Sequence, residues 1–236
     1  ASATIKILAA APVLGDTDSD GDGVADSAEG YGDSDNDGIP DYQDNIAETY
    51  LAPVGDSGQV IQSDVGTTIA LGDTALAGGN NEVGIDESDV GTEDEDFIYP
   101  GGLVDFEVSG AQAGASYNIV LPLSTAVPED AVLRKFIDAN VGWQAFVENA
   151  TNAVSSATAA SGTCPESGSA SYTAGLVLGA TCIQLMIEDG GPNDTDGAAD
   201  GTVTDPSGIA IPAIGTPSDN SEVTLSRESI TANGTD

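Results

Sequence analysis

The sequence predicts an all-β protein: a β-sandwich of the immunoglobulin-like or jelly-roll type, preceded by an extended acidic repeat region and an isolated N-terminal strand. Three observations point there. From residue 51 onward, short runs rich in Val, Ile, Thr and aromatic residues are broken every few positions by Gly, Pro, Asn and Asp. The acidic run from Asp16 to Asp44 lacks the long amphipathic helices that flank the loops of helical calcium sensors. Residues 1–14 hold a β-prone segment, Ala-Thr-Ile-Lys-Ile-Leu-Ala-Ala, closed by Pro12. The chain therefore divides into a strand at 1–14, an acidic repeat at 15–45 and a sandwich from 51 to 236.

The N-terminal strand would expose Ile5, Ile7 and Leu8 along an unpaired backbone. Such a strand aggregates unless it joins a sheet, so it is expected to complete a sandwich, its own or a neighbour's.

The acidic run contains two copies of one motif, Asp18-Ser-Asp-Gly-Asp-Gly-Val-Ala-Asp26 and Asp33-Ser-Asp-Asn-Asp-Gly-Ile-Pro-Asp41, in phase at an offset of 15 residues. Carboxylates on alternate residues converge on one hard cation only if the backbone wraps around it, and Gly23 and Gly38 permit that turn. Counting from Asp18 places oxygen donors at Asp18, Asp20, Asp22, Asp26 and Glu29, with the Val24 carbonyl at the seventh position. The second copy supplies Asp33, Asp35, Asp37, Asp41 and Asp44 with the Ile39 carbonyl, and its last ligand is the shorter Asp. Six or seven oxygens suit calcium better than magnesium, which prefers a tight octahedron that keeps several waters. The alternative frame from Asp16 puts Val24 and Ser27 where ligands are needed, and the alternative to a metal site is a flexible acidic linker.

Within the sandwich, strands are expected at 59–63, 67–71, 103–109, 117–123, 131–137, 142–148, 182–188 and 208–214. Val104, Phe106 and Val108 alternate with Asp105 and Glu107, as in a strand with one wet face. Residues 151–163 read as an exposed low-complexity loop, and Glu93-Asp94-Glu95-Asp96 as a solvated face, with a further calcium contact as the alternative. Only two cysteines are present, Cys164 and Cys182. In an exported chain they form a disulfide, stabilising by about 3 kcal/mol in the loop-entropy picture; two free buried thiols are the alternative.

Four basic residues against 40 acidic ones give a formal net charge of -36, which repels nucleic acid and anionic membrane surfaces alike. Such self-repulsion is relieved by bound cations or salt, so calcium and a saline exterior are both expected. No apolar run is long enough to span a bilayer, and the Ala-Ser-Ala start has the look of an end left by signal cleavage. An exported, calcium-loaded protein follows.

Further along, Gly101-Gly-Leu-Val-Asp-Phe-Glu-Val-Ser-Gly110, Arg134-Lys135, Trp143-Gln-Ala-Phe-Val-Glu148, Cys164-Pro165, Cys182-Ile-Gln-Leu and Glu188-Asp-Gly-Gly-Pro-Asn-Asp-Thr-Asp-Gly197, followed by Gly201-Thr-Val-Thr-Asp-Pro206, occur in order. This part of the chain, about 51–214, resembles the bacterial choice-of-anchor U domain. The N-terminal loops resemble bacterial thrombospondin type 3 repeats. The resemblance implies export, a bacterial cell surface location, attachment through a cleavable C-terminal sorting tail and an extended calcium-bound rod. The chain departs from the pattern in ending at Asn233-Gly-Thr-Asp236 without that tail.

The Glu188–Gly197 segment offers a third metal site, with Asp194, Asp196 and Asp200 as ligands and Asp189 or Asp205 completing it; Pro192 stands at its first ligand position, and a turn built from Asp, Gly and Asn is the alternative. The absence of histidine excludes His-based triads and His-ligated zinc, and nothing in the spacing of the carboxylates selects a glycosidase pair. An enzyme is not expected. The leading expectation is a calcium-stiffened extracellular structural protein that polymerises head to tail by β-strand addition. The alternatives are a monomeric surface-anchored adhesin or stalk and a carbohydrate-binding module with Trp143, Phe146 and Tyr117 as its platform.

Overall fold

The computed structural model describes residues 11–55, 58–79, 81–159 and 162–213. The expected N-terminal strand falls almost wholly outside them. Among the described residues thirteen strands form two antiparallel sheets, as the all-β reading requires. The first sheet runs β1 (Leu51–Val54), β2 (Gln59–Gln62), β7 (Ser116–Pro122), β12 (Cys182–Glu188), β10 (Ala153–Ala157), β11 (Thr173–Ala174) in spatial order. The second runs β3 (Thr68–Leu71), β6 (Leu103–Ser109), β13 (Thr202–Pro212), β8 (Val132–Phe136), β9 (Trp143–Ala145), with β4 (Gly84–Ile85) on β6 and β5 (Phe97–Ile98) on β13. The sheets do not close into a barrel.

The period-2 alternation of the long strands builds the core. In the first sheet Ile183 pairs with Leu121, Leu185 with Ile119 and Ile187 with Tyr117, so all six share one face. In the second, Val203 pairs with Val108 and Ile209 with Leu133, while Ile69 and Leu71 pair with Val108 and Phe106. All of these except Ile209, which is partly buried and packs against them, belong to a single buried cluster that spans both sheets. The opposite face of β6 is also covered. Helix α2 (Asp73–Gly78; α1 is the single turn Asp26–Glu29) lies over it, and Asp105, which the alternation assigns to solvent, is buried there, accepting the Thr74 and Ala75 N–H groups at 2.7 and 3.3 Å. A carboxylate under a helix N-terminus satisfies amides that lack intrahelical partners.

Three sequence expectations change. Residues 153–157 are strand β10, inserted between β12 and β11 with Val154, Ser156 and Ala157 buried, where a solvated loop is expected; the small residues fit a crowded sheet. Strand β13 begins at Thr202, six residues before the expected 208, because Asp205-Pro206-Ser207-Gly208 looks like a turn until its pairing with β6 is seen. Asp94 is no solvated charge: it is buried, holds Arg134 through two hydrogen bonds of 2.8 and 3.1 Å, and accepts the Tyr99 hydroxyl at 2.7 Å. Arg134 in turn lies over the Phe97 ring, 4.3 Å from its centroid.

Cys164 and Cys182 are joined by a disulfide that ties the loop before β11 to the start of β12. Tyr117 is wholly buried and accepts the Ala111 N–H at 3.0 Å, while Trp143 lies on the other sheet, in tilted ring contact with Tyr99 and Phe136 and donating its indole N–H to the Thr92 carbonyl. The three aromatics named as a platform therefore share no exposed face. Among the described residues no helix is long and apolar enough to cross a membrane.

Candidate metal centre

The two acidic loops share their backbone turns and most of their hydrogen bonds. The fourth residue of each, Gly21 and Asn36, adopts positive φ (80° and 66°), and the sixth, Gly23 and Gly38, adopts φ 98° in both. Side chains rarely tolerate that conformation, and Asn tolerates it best after Gly. Asp18 and Asp33 accept the N–H of Gly23 and Gly38 at 3.1 and 3.2 Å, Asp20 and Asp35 accept the N–H two residues on, and Asp22 and Asp37 accept that of Val24 and Ile39 at 2.6 and 2.7 Å. Each chain of Asx turns curls the backbone so that alternate carboxylates converge.

Convergence is close. One carboxylate oxygen from each of Asp18, Asp20 and Asp22 lies within 4.8 Å of the others, and the same holds for Asp33, Asp35 and Asp37. Asp20 Oδ2 and Glu29 Oε2 in the first loop, and Asp35 Oδ2 and Asp37 Oδ2 in the second, are buried oxygens without a hydrogen-bond partner. An orphaned buried carboxylate oxygen is costly unless a proton or cation meets it.

The ninth-position residues use their oxygens differently from the ligand role the spacing assigns. Asp26 accepts both the N–H and the hydroxyl of Ser19, at 2.9 and 3.0 Å, and Asp41 accepts both from Ser34, at 2.7 and 2.9 Å. Each is a clasp that ties the ninth residue of the loop to the second. The repeated Ser after the first Asp is the sequence signal for this arrangement.

The twelfth-position residues approach their loops electrostatically. Glu29 is raised above the usual carboxylate range by desolvation and then by Asp20, Asp22, Asp18 and Asp26. Asp44 is pushed up to about 6 by burial, with Asp35, Asp20 and Asp33 adding to it. Asp20 and Asp35 are raised too, chiefly by burial, and burial pushes Asp37 up to about 7. The influence of Asp20 on Asp44, together with a hydrogen bond from Asn45 Nδ2 to the Asp20 carbonyl at 3.2 Å, sets the two loops side by side. Tyr31 and Tyr42 pack edge to face between them, 5.9 Å apart.

The loops differ in what lies behind them. Val24 is 43% exposed, whereas its counterpart Ile39 is 1% exposed and belongs to the sandwich core. The Leu71 N–H donates to the Asp37 carbonyl at 2.8 Å, and a Cβ on Gly38 would come within 2.9 Å of Leu76 Cδ2. The second loop is thus seated on β3 and α2, and residues 33–44 do not stand clear of the sandwich as a separate spacer. The reason is tertiary: Ile39, the apolar residue after the glycine in the second copy, is buried in the sandwich core, whereas Val24 in the first copy is exposed.

The segment proposed for a third site is organised otherwise. Asp189 accepts the N–H groups of Gly114, Asp200 and Gly201, and Asp194 those of Gly190 and Thr204. Asp196 and Asp200 accept the N–H two residues on. Asp205 points into the core, 2.6 Å from Lys135. Among the described residues, Asp194, Asp196 and Asp200 do not form a converging group as the two N-terminal triads do. In comparison with known proteins, the chain matches no family model, no curated protein and no solved structure.

Proposed function

We propose that the protein is a calcium-stabilised extracellular structural protein whose two acidic loops each hold one ion. The observation that carries this reading is the pair of converged carboxylate triads with buried, unpartnered oxygens. Two full charges 4.8 Å apart repel by about 3–4 kcal/mol at an effective dielectric of about 20. A divalent cation converts that repulsion into attraction and satisfies the orphaned oxygens at once. Oxygen-only donors in a flexible twelve-position loop favour calcium over magnesium, and dissociation constants of about 0.1–1 mM are expected for an extracellular module. Calorimetric titration of chelator-stripped protein with calcium and then magnesium is the direct test. Two calcium sites, one lost in D20N/D22N and the other in D35N/D37N, are expected; absence of calcium binding sinks the reading.

Self-assembly is the second layer of the proposal. It rests on the apolar, β-prone sequence of residues 1–14 and on a cavity of about 520 Å³ among the described residues, lined from both sheets by Leu103, Leu121, Leu133, Ile183 and Ile209. The N-terminal strand of a second copy is the occupant we assign to it, by β-strand addition. Electron microscopy in calcium should show filaments from the full chain and none after deletion of 1–14. Filaments that persist after the deletion overturn the assembly layer and leave the calcium sites standing.

A further inference from the structure

The core-facing row of the second sheet contains an amine and a carboxyl group. Lys135 on β8 pairs with Ser207 of β13, and Asp205, two residues away, pairs with Phe106 of β6. Paired residues and i, i+2 neighbours share a face, so Lys135, Ser207, Asp205 and Phe106 stand together between the sheets. Lys135 Nζ lies 2.6 Å from Asp205 Oδ1, with the two side chains 1% and 0% exposed.

That contact lacks the angles of a hydrogen bond. Lys135 Nζ, both carboxyl oxygens of Asp205 and the Ser207 hydroxyl have no hydrogen-bond partner. A buried ion pair offsets its desolvation only when further hydrogen bonds satisfy its remaining donors and acceptors, and here none do. Desolvation also draws the Lys135 amine below the usual lysine range, towards its neutral, nucleophilic form. An amine 2.6 Å from a carboxyl oxygen, with both side chains buried, has the proximity that intramolecular condensation needs.

We propose that Lys135 and Asp205 are joined by an intramolecular amide bond, formed by the folded chain itself between Nζ and Cγ. Within the pair a proton passes from the ammonium to the carboxylate, giving a neutral amine and a neutral acid. The nitrogen lone pair attacks Cγ, the Nζ–Cγ bond forms and a Cγ–O bond breaks. One carboxyl oxygen departs as water with two of the three original ammonium protons, and Nζ keeps the third. No oxidant, reductant or co-reactant is required. The product replaces two buried charges by one neutral amide and ties β8 covalently to β13, two neighbouring strands of the second sheet.

Intact-mass measurement of the reduced full-length protein tests this. The expected mass is one water below that of the composition. Proteolysis should yield a branched species joining the Lys135 and Asp205 peptides. K135M and D205L should show the full mass, and D205N should lose ammonia in place of water to form the same link. Folded wild-type protein at its full mass overturns the proposal. So does a missing water that maps to a succinimide at an Asp-Gly step such as Asp20-Gly21 or Asp37-Gly38. The wild-type result decides the matter even if a variant fails to fold.

Discussion

Leu71 donates its backbone N–H to the Asp37 carbonyl at 2.8 Å, which fastens the second acidic loop to the strand beside α2. The Asp37 carboxyl group meanwhile converges with Asp33 and Asp35. One residue therefore belongs to both the loop and the sandwich. An ion held by the second loop stabilises the sheet as well as the loop.

Calcium at a hundredfold excess over its dissociation constant should raise the stability of the sandwich by about 2.7 kcal/mol per coupled site. Scanning calorimetry of the sandwich transition with calcium and with chelator measures this. D35N/D37N should remove the coupling, whereas D20N/D22N, in the more exposed loop, should leave most of it. Equal losses from the two double variants would show that the seating of Asp37 is not what transmits the effect.

In chelator, stability should fall as pH rises. Burial first, and neighbouring carboxylates after it, push Asp37 from 3.8 up to about 7 and Asp44 from 3.8 up to about 6. A carboxyl group with a higher pKa folded than unfolded binds more protons in the folded state. Its contribution is complete below about pH 4 and is lost as pH climbs through 6 and 7. Urea midpoints at pH 5 and pH 8 should therefore differ in favour of pH 5 without calcium. The difference should shrink in D37N/D44N.

Ile39→Ala should destabilise the calcium-loaded protein by about 2–5 kcal/mol, as removal of a buried aliphatic side chain does. Val24→Ala, at the matching exposed position, should change stability by less than about 0.5 kcal/mol. Chemical denaturation of both variants checks the asymmetry between the two copies.

Asp94→Ala should cost about 3 kcal/mol, because it strands the half-buried Arg134 guanidinium and the Tyr99 hydroxyl together. The loss should be visible in the thermal midpoint with calcium present, since this cluster lies outside the acidic loops. An unchanged midpoint would place Asp94 in solvent after all.

Much of the fold was legible in the chain. The alternation in 103–109 and 182–188 marked those strands to the residue, because a long strand with one apolar face writes a period of two into the sequence even where, as at Asp105, its other face is covered. The short strands Ala153–Ala157 and Thr173–Ala174 carry no such signal: Ala, Ser and Thr are compatible with either a loop or a crowded strand. At the acidic loops, the backbone turns and the convergence of the first three carboxylates follow from spacing alone. The Ser19–Asp26 and Ser34–Asp41 clasps do not, since a ninth-position Asp can face either the loop centre or its back.

By itself the amino-acid sequence determined the class of the fold, the pairing of the only two cysteines and the two repeated loops, all of which depend on neighbours close in the chain or on composition. Tertiary structure decided which copy of the loop is part of the core, because Ile39 is buried only when β3 and α2 supply its pocket. It also decided that Lys135 meets Asp205. The parity of Leu133 and Lys135 on β8, and of Val203, Asp205 and Ser207 on β13, already aims those side chains inward. Only the β8–β13 register brings amine and carboxyl into contact, and register is a property of the assembled sheet.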